Sequence, residues 1–247
     1  MEDAERLDRY REVLTGSTPY AHLSPTDQIW ARMVLFSLWP NLPFDNYETP
    51  LQIIRSEQAV VSDILDVMQL GVDSATHLPE PLSAELSWRP LRSHMRYSRE
   101  ELCAGLDYAS LHRKPANMRE GVFYASDLNT DALLITVNKS EKEFSSTTMY
   151  NDYAISRDLF HWESQSGTSV SSPTGQRYIN QRTVGHNVLI FARQEKVSKI
   201  GLGVAAYMLL GQADYVQHEG DRPIAVTWKL QRSMPQDEFA AAAVTSI

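Results

Sequence analysis

Residues 137–182 read VNKSEKEFSSTTMYNDYAISRDLFHWESQSGTSVSSPTGQRYINQR. Six aromatics (Phe144, Tyr150, Tyr153, Phe160, Trp162 and Tyr178) stand among hydroxyls, amides, lysines and arginines. The stretch lacks the apolar run that a buried strand needs, so it reads as a long polar connection inside a β-rich region. A plain solvated loop seldom holds this many rings, because each is costly to leave exposed. The mixture suits a surface that stacks on flat rings, hydrogen-bonds their edges and touches phosphate. That is the chemistry of a nucleobase reader.

The residues on either side define the setting. Short β-branched or aromatic runs at 133–137, 187–191, 205–210 and 225–230, bounded by Gly, Asn or Asp, predict strands. Long connections within a compact region are usually functional, which again singles out 138–182. Upstream, the first ~90 residues read as helical. Ser24 followed by Pro25 opens an apolar stripe that Pro40 ends. Thr49 and Pro50 give a second start, with Leu51, Ile54, Val61, Leu65 and Met68 on one face and Gly71 at the expected C-terminal stop. Ser98 and Glu101 form a capping box for a short helix. Prolines 79, 81 and 90 rule out one regular element over 77–90, so a boundary is expected there. The expected organisation is α+β, with a helical domain over 1–90 and a mixed, bent β-domain over 91–247. The alanine-rich tail after Phe239 reads as frayed.

Bulk numbers narrow the class. A chain of 247 residues with 43% hydrophobic and 22% charged residues suits a globular protein with a sizeable core. No apolar run approaches the ~20 residues of a membrane span. The acidic start MEDAERLDRYREV lacks a signal-peptide apolar segment. A single cysteine, Cys103, excludes an internal disulfide and a cysteine zinc cage. A cytoplasmic, nucleoid-associated location is the resulting expectation. The net charge of −8 is unevenly spread: residues 1–90 hold 6 Lys+Arg against 14 Asp+Glu, and 91–247 hold 17 of each. The second part is neutral, so non-specific attraction to phosphate should be modest and selectivity must come from base contacts.

Several strings resemble one known family. KSEK at 139–142, TTMYNDYAIS at 147–156, LFHWESQS at 159–166 and SPTGQRYI at 172–179 are similar to the C-terminal domain of helicase-fused, modification-dependent restriction proteins. That domain, long catalogued as one of unknown function, is similar to SRA-type domains that flip 5-methylcytosine from duplex DNA. The likeness continues through YVQHEGDRP at 215–223 and IAVTWKL at 224–230, and reaches back to REG at 119–121 and FSLWP at 36–40. It implies an SRA-like, PUA-related mixed β-barrel for 91–247. It also implies a binding module for methylated double-stranded DNA with no cofactor, which either recruits a partner such as a nuclease, regulates by occupancy, or represents a reduced defence system. The oligomeric state stays open.

A flipped cytosine needs stacking rings and an edge-reading group, and extrusion costs a few kcal/mol. Tyr150, Tyr153, Phe160 and Trp162 are the available rings, with Trp162 and a tyrosine the expected sandwich; core packing is the competing role. Asp152 is the first candidate acceptor for the cytosine N4 amino group and Glu163 the second, although an Asp also caps turns. His161 and Gln165 could read the remaining edge. Lys139, Lys142, Ser166, Thr168, Thr174, Gln176, Arg177 and Arg182 are candidate contacts to the DNA backbone.

Two other functions compete. A metal-dependent nuclease could use Asp131, Glu141 or Asp221, but no paired-metal carboxylate pattern accompanies them; the lack of a GxxxxGK[ST] phosphate loop separately excludes ATP-driven translocation by these residues. HEGDRP at 218–223 reads as a tight turn before a strand, with Asp221 and Arg222 holding loops together. The third option is a reader of modified RNA, which PUA-like barrels also support.

Overall fold

The computed structural model describes residues 3–115, 121–138, 152–197 and 203–243. The chain divides into two compact units, residues 1–120 and 121–247.

The first unit is mainly helical. Helix α1 (Ala4–Thr15) starts where the Asp3 carboxylate accepts from the backbone N–H groups of Glu5 and Arg6. Helix α2 (Pro25–Leu38) starts at the predicted Ser24 cap and stops short of Pro40. The single helix expected from Thr49 to Gly71 is instead two, α3 (Glu48–Ser56) and α4 (Gln58–Asp73), broken at Glu57. The Glu57 backbone at φ −101°, ψ 69° is non-helical. Gly71 does not end α4, which continues to Asp73. Strands β1 (Glu80–Pro81) and β2 (Arg92–Ser93) pair antiparallel, followed by β3 (Arg96–Tyr97). The capping box then opens α5 (Arg99–Gly105) through both of its reciprocal bonds.

The second unit is built on a mixed sheet. Its strands are β4 (Val122–Ala125), β5 (Thr130–Thr136), β6 (Tyr153–Ala154), β7 (Leu159–Glu163), β8 (Asn187–Arg193), β9 (Tyr207–Glu219) and β10 (Ala225–Leu230). They lie in the order β4-β5-β8-β9-β10-β7-β6. Only the central β5–β8 pair is parallel; the other pairs on this path are antiparallel. Helices α6 (Pro173–Ile179) and α7 (Gln236–Ala242) pack against the sheet's core. The tail expected to fray is thus helical as far as Ala242. Strand β9 shifts register against β8 next to Gly211, whose φ of 125° only glycine adopts without strain.

The stretch 138–182 is not one long connection. Within it, β7 reads LFHWE with strict alternation: Phe160 and Trp162 are buried, while Leu159, His161 and Glu163 are half-buried. A half-buried strand needs alternation, not an apolar run. The core on the inward side gathers Phe160, Trp162, Tyr178, Ile190, Met208, Val226 and Trp228. Trp162 and Trp228 both meet the Tyr178 ring edge-on, at 5.3 and 6.2 Å between centroids.

Candidate functional site

The alternation of β7 decides which aromatics face solvent. The pairings Tyr153↔His161, His161↔Thr227 and Thr227↔Gln217 put these four residues in one row across β6, β7, β10 and β9. Directly opposed residues of a sheet share a face. The neighbouring row is Glu163, Ala225 and Glu219. Tyr153 and His161 stack nearly parallel, 4.7 Å between centroids and 11° between planes. Tyr153 lies on the outermost strand of the order, and among the described residues it is the outer ring of that stack, with its neighbour Ala154 also bridging Ala243. This row is the candidate base-binding platform.

Of the expected pairings of Trp162 with a tyrosine, the one with Tyr153 is not formed, and Tyr150 lies outside the described residues. Trp162 is 3% exposed and Phe160 fully buried, both on the face opposite Tyr153. A one-residue step along a strand reverses the face, so neighbouring residues such as His161 and Trp162 cannot serve one surface. Asp152 is also buried, and its carboxylate accepts from the Glu163 backbone N–H at 3.0 Å. This bond ties the residue before β6 to the end of β7, a cross-strand role different from the turn cap weighed for Asp152. Gln165 and Thr168 close a turn in which the Thr168 N–H donates to the Gln165 carbonyl at 2.8 Å. Ser164, fully buried, accepts from the Ile224 N–H at 2.9 Å and so pins the end of β7 beside β10. Tyr150, Lys139 and Lys142 lie outside the described residues.

The candidate backbone contacts divide. Ser166 and Gln176 are exposed, and Thr174 is half-buried near the start of α6. Thr168 is buried. Arg182 is exposed and stands 3.5 Å from Asp214. Arg177 is the clear departure, because its guanidinium is held by a buried carboxylate. Its Nε and Nη2 donate to Asp131 at 3.1 and 3.3 Å, and its plane lies 4.1 Å above the Tyr124 ring centre. Burial works against the guanidinium's charge, but the Asp131 carboxylate outweighs that and strengthens its hold on the proton.

Asp131 has a second polar neighbour that the sequence reading missed. His186 Nε2 is 2.8 Å from Asp131 Oδ2, and Nδ1 is 3.0 Å from Asn129 Oδ1. Asn129 Nδ2 donates to the Gly185 carbonyl, which orients the amide with its oxygen towards the ring. Parallel pairing of β5 with β8 creates this cluster by placing the starts of both strands side by side, Thr130 opposite Asn187. Asp131 was a nuclease candidate; here it is tied to Arg177 and His186. Asp221 is likewise engaged, accepting from the Val170 N–H at 2.7 Å, in keeping with its reading as a loop tether. Glu141 lies outside the described residues. Among the described residues, no group of three His, Cys, Asp or Glu is placed to hold a metal ion. Nor is any helix of these residues long and apolar enough to cross a membrane.

No curated protein matches the chain. Among solved structures, the crystal structure of KRYPTONITE in complex with mCHG DNA and SAH aligns at 10% identity with a TM-score of 0.39. That alignment covers 96% of this chain and 45% of the other. Likeness at this level supports no conclusion about fold or function. A family model described as a domain of unknown function, DUF3427, matches residues 91–242, a span that contains the whole ring platform and the Asp131 cluster. Since that match takes in more than half of the chain, the chain belongs to the DUF3427 family.

Proposed function

We propose that this protein binds duplex DNA containing 5-methylcytosine and extrudes the modified base onto the Tyr153–His161 platform. The observation that carries the reading is the stack itself: two flat side chains, parallel and half-buried, ending at the edge strand of the sheet. A pyrimidine added beyond Tyr153 would extend that stack by one ring and gain about 1–3 kcal/mol. This offsets much of the few kcal/mol lost on unstacking from the duplex. Glu163, in the neighbouring row, is the carboxylate nearest in register to accept from the cytosine amino group. Tyr150 is proposed as the second ring. The motif resemblance over 147–179 supports the same assignment, and with it an SRA-like, PUA-related barrel for the second unit. Phe160 and Trp162 contribute by holding β7 in place, not by touching the base.

Electrophoretic shift with matched methylated and unmethylated duplexes tests the proposal, with 2-aminopurine beside the target reporting extrusion. Tighter binding of the methylated duplex and a rise in 2-aminopurine fluorescence are expected. Tyr153→Ala should weaken methylated binding by roughly 5- to 150-fold, the equivalent of about 1–3 kcal/mol. Equal affinity for the two duplexes would overturn the reading, as would preferential binding of single-stranded RNA in competition.

A further inference from the structure

Helix α4 carries an apolar row that its own unit leaves uncovered. It packs against α1 and α3, yet of its sixteen residues only Val61 is buried. Val60, Val67 and Leu70 are 44%, 68% and 68% exposed. With the half-buried Ile64 they recur at the three- and four-residue spacing of one helix stripe. Scattered apolar residues on a surface are ordinary, but a continuous helical row marks an interaction site.

Charge identifies the kind of partner. Residues 56–88 contain Glu57, Asp63, Asp66, Asp73, Glu80 and Glu85 and no Lys or Arg. At 100° per residue, Asp63 falls between Val67 and Leu70 around the helix, and Asp66 and Asp73 border the row on Leu70's side. Two copies of α4 laid face to face would bring these aspartates together, and juxtaposed like charges are unfavourable. A membrane with anionic lipids would be repelled by the same residues. A helix with an apolar face edged by Lys or Arg would satisfy both features at once.

From this row and its acidic border we infer that α4 is the docking surface for a basic amphipathic helix of a partner protein. The surface is separate from the ring platform in sequence and in chemistry. Its apolar row supplies the contact area, and Asp63, Asp66 and Asp73 select the partner and fix its direction.

The test uses the full chain and two labelled helical peptides that share one apolar face, edged by Lys in the first and Glu in the second. Fluorescence anisotropy should show binding of the Lys-edged peptide, weaker at high salt, and little binding of the Glu-edged one. Val67→Asp combined with Leu70→Asp should weaken the interaction at least about tenfold, since two carboxylates then replace the apolar contact and must be desolvated against the peptide's apolar face. Both positions are largely exposed, so circular dichroism should be unchanged. Asp63→Lys with Asp66→Lys should reverse the preference towards the Glu-edged peptide. Absence of binding to both peptides, equal binding, or no reversal would overturn the assignment. So would a dimer in sedimentation velocity that Val67→Asp dissociates, which would make the occupant a second copy. Co-sedimentation with phosphatidylcholine vesicles, lost in the same variant, would assign the face to lipid and overturn it too.

Discussion

At Asp131 one carboxylate, 1% exposed, satisfies two partners: the Arg177 guanidinium and the His186 ring. Removing the carboxylate leaves the Arg177 guanidinium without its counter-charge and the His186 ring without its hydrogen-bond partner, and breaking a buried ion pair in this way costs about 3–5 kcal/mol. Asp131→Ala should therefore lower the urea midpoint by that equivalent, with the denaturant slope unchanged. A loss below about 1 kcal/mol would show that the cluster is solvated and contributes like a surface pair. The same cluster shows what the sequence reading of Arg177 lacked. An arginine in a turn-rich, polar segment looks available to phosphate until its partner is known. That partner is 46 positions earlier, on a strand with no sequence link to it. His186 was invisible for a related reason: only the parallel register of β5 and β8 brings it to Asp131.

At the scale of elements, α6 shows how closely a short helix is fitted to the loop before it. Ser172 Oγ accepts from the Gly175 N–H at 3.1 Å and donates to the Ser169 carbonyl at 2.6 Å. A Cβ on Gly175 would lie 2.1 Å from that same carbonyl oxygen and 3.0 Å from Ile224 Cδ1. Gly175→Ala should therefore push α6 outward and destabilise the protein by about 1–3 kcal/mol, the usual range for overpacking. Because Tyr178 on α6 packs on Trp162 and Trp228, near-UV circular dichroism should lose tryptophan signal in the same variant. A wild-type spectrum and melting temperature would show that the loop yields freely. Elements with local signals were legible: the Ser24 start of α2, the capping box of α5, and the strands at 133–137, 187–191 and 225–230. Strand β7 was not, because a search for apolar runs overlooks a five-residue strand whose every second residue is polar or half-buried. Once that alternation is recognised, Tyr153 and His161 separate from Phe160 and Trp162 without further information. The α3–α4 break at Glu57 had no such marker, since no Gly or Pro interrupts 51–70.

Across the whole molecule, the charge distribution limits how the proposed DNA complex can respond to salt. The acid excess is confined to residues 1–90, and 91–247 are neutral overall. Of the four cations expected at phosphates, Arg177 is engaged by Asp131 and Arg182 stands beside Asp214. Lys139 and Lys142 are then the proposed backbone contacts. Each phosphate neutralised contributes about 0.9 to the slope of log affinity against log salt. Two lysines predict a slope near −1.8, whereas all four cations would give about −3.6. Measured on a methylated duplex, Lys139→Ala and Lys142→Ala should each flatten the slope by about 0.9 with the methyl preference kept. Arg177→Gln should lower stability and leave the slope in place, because its charge is already opposed inside the protein. A slope near −3.6 that Arg177→Gln reduces by one contact would instead mean that Arg177 leaves Asp131 when DNA binds. The buried carboxylate would then remain with His186 alone, and stability of the complex would depend on that ring.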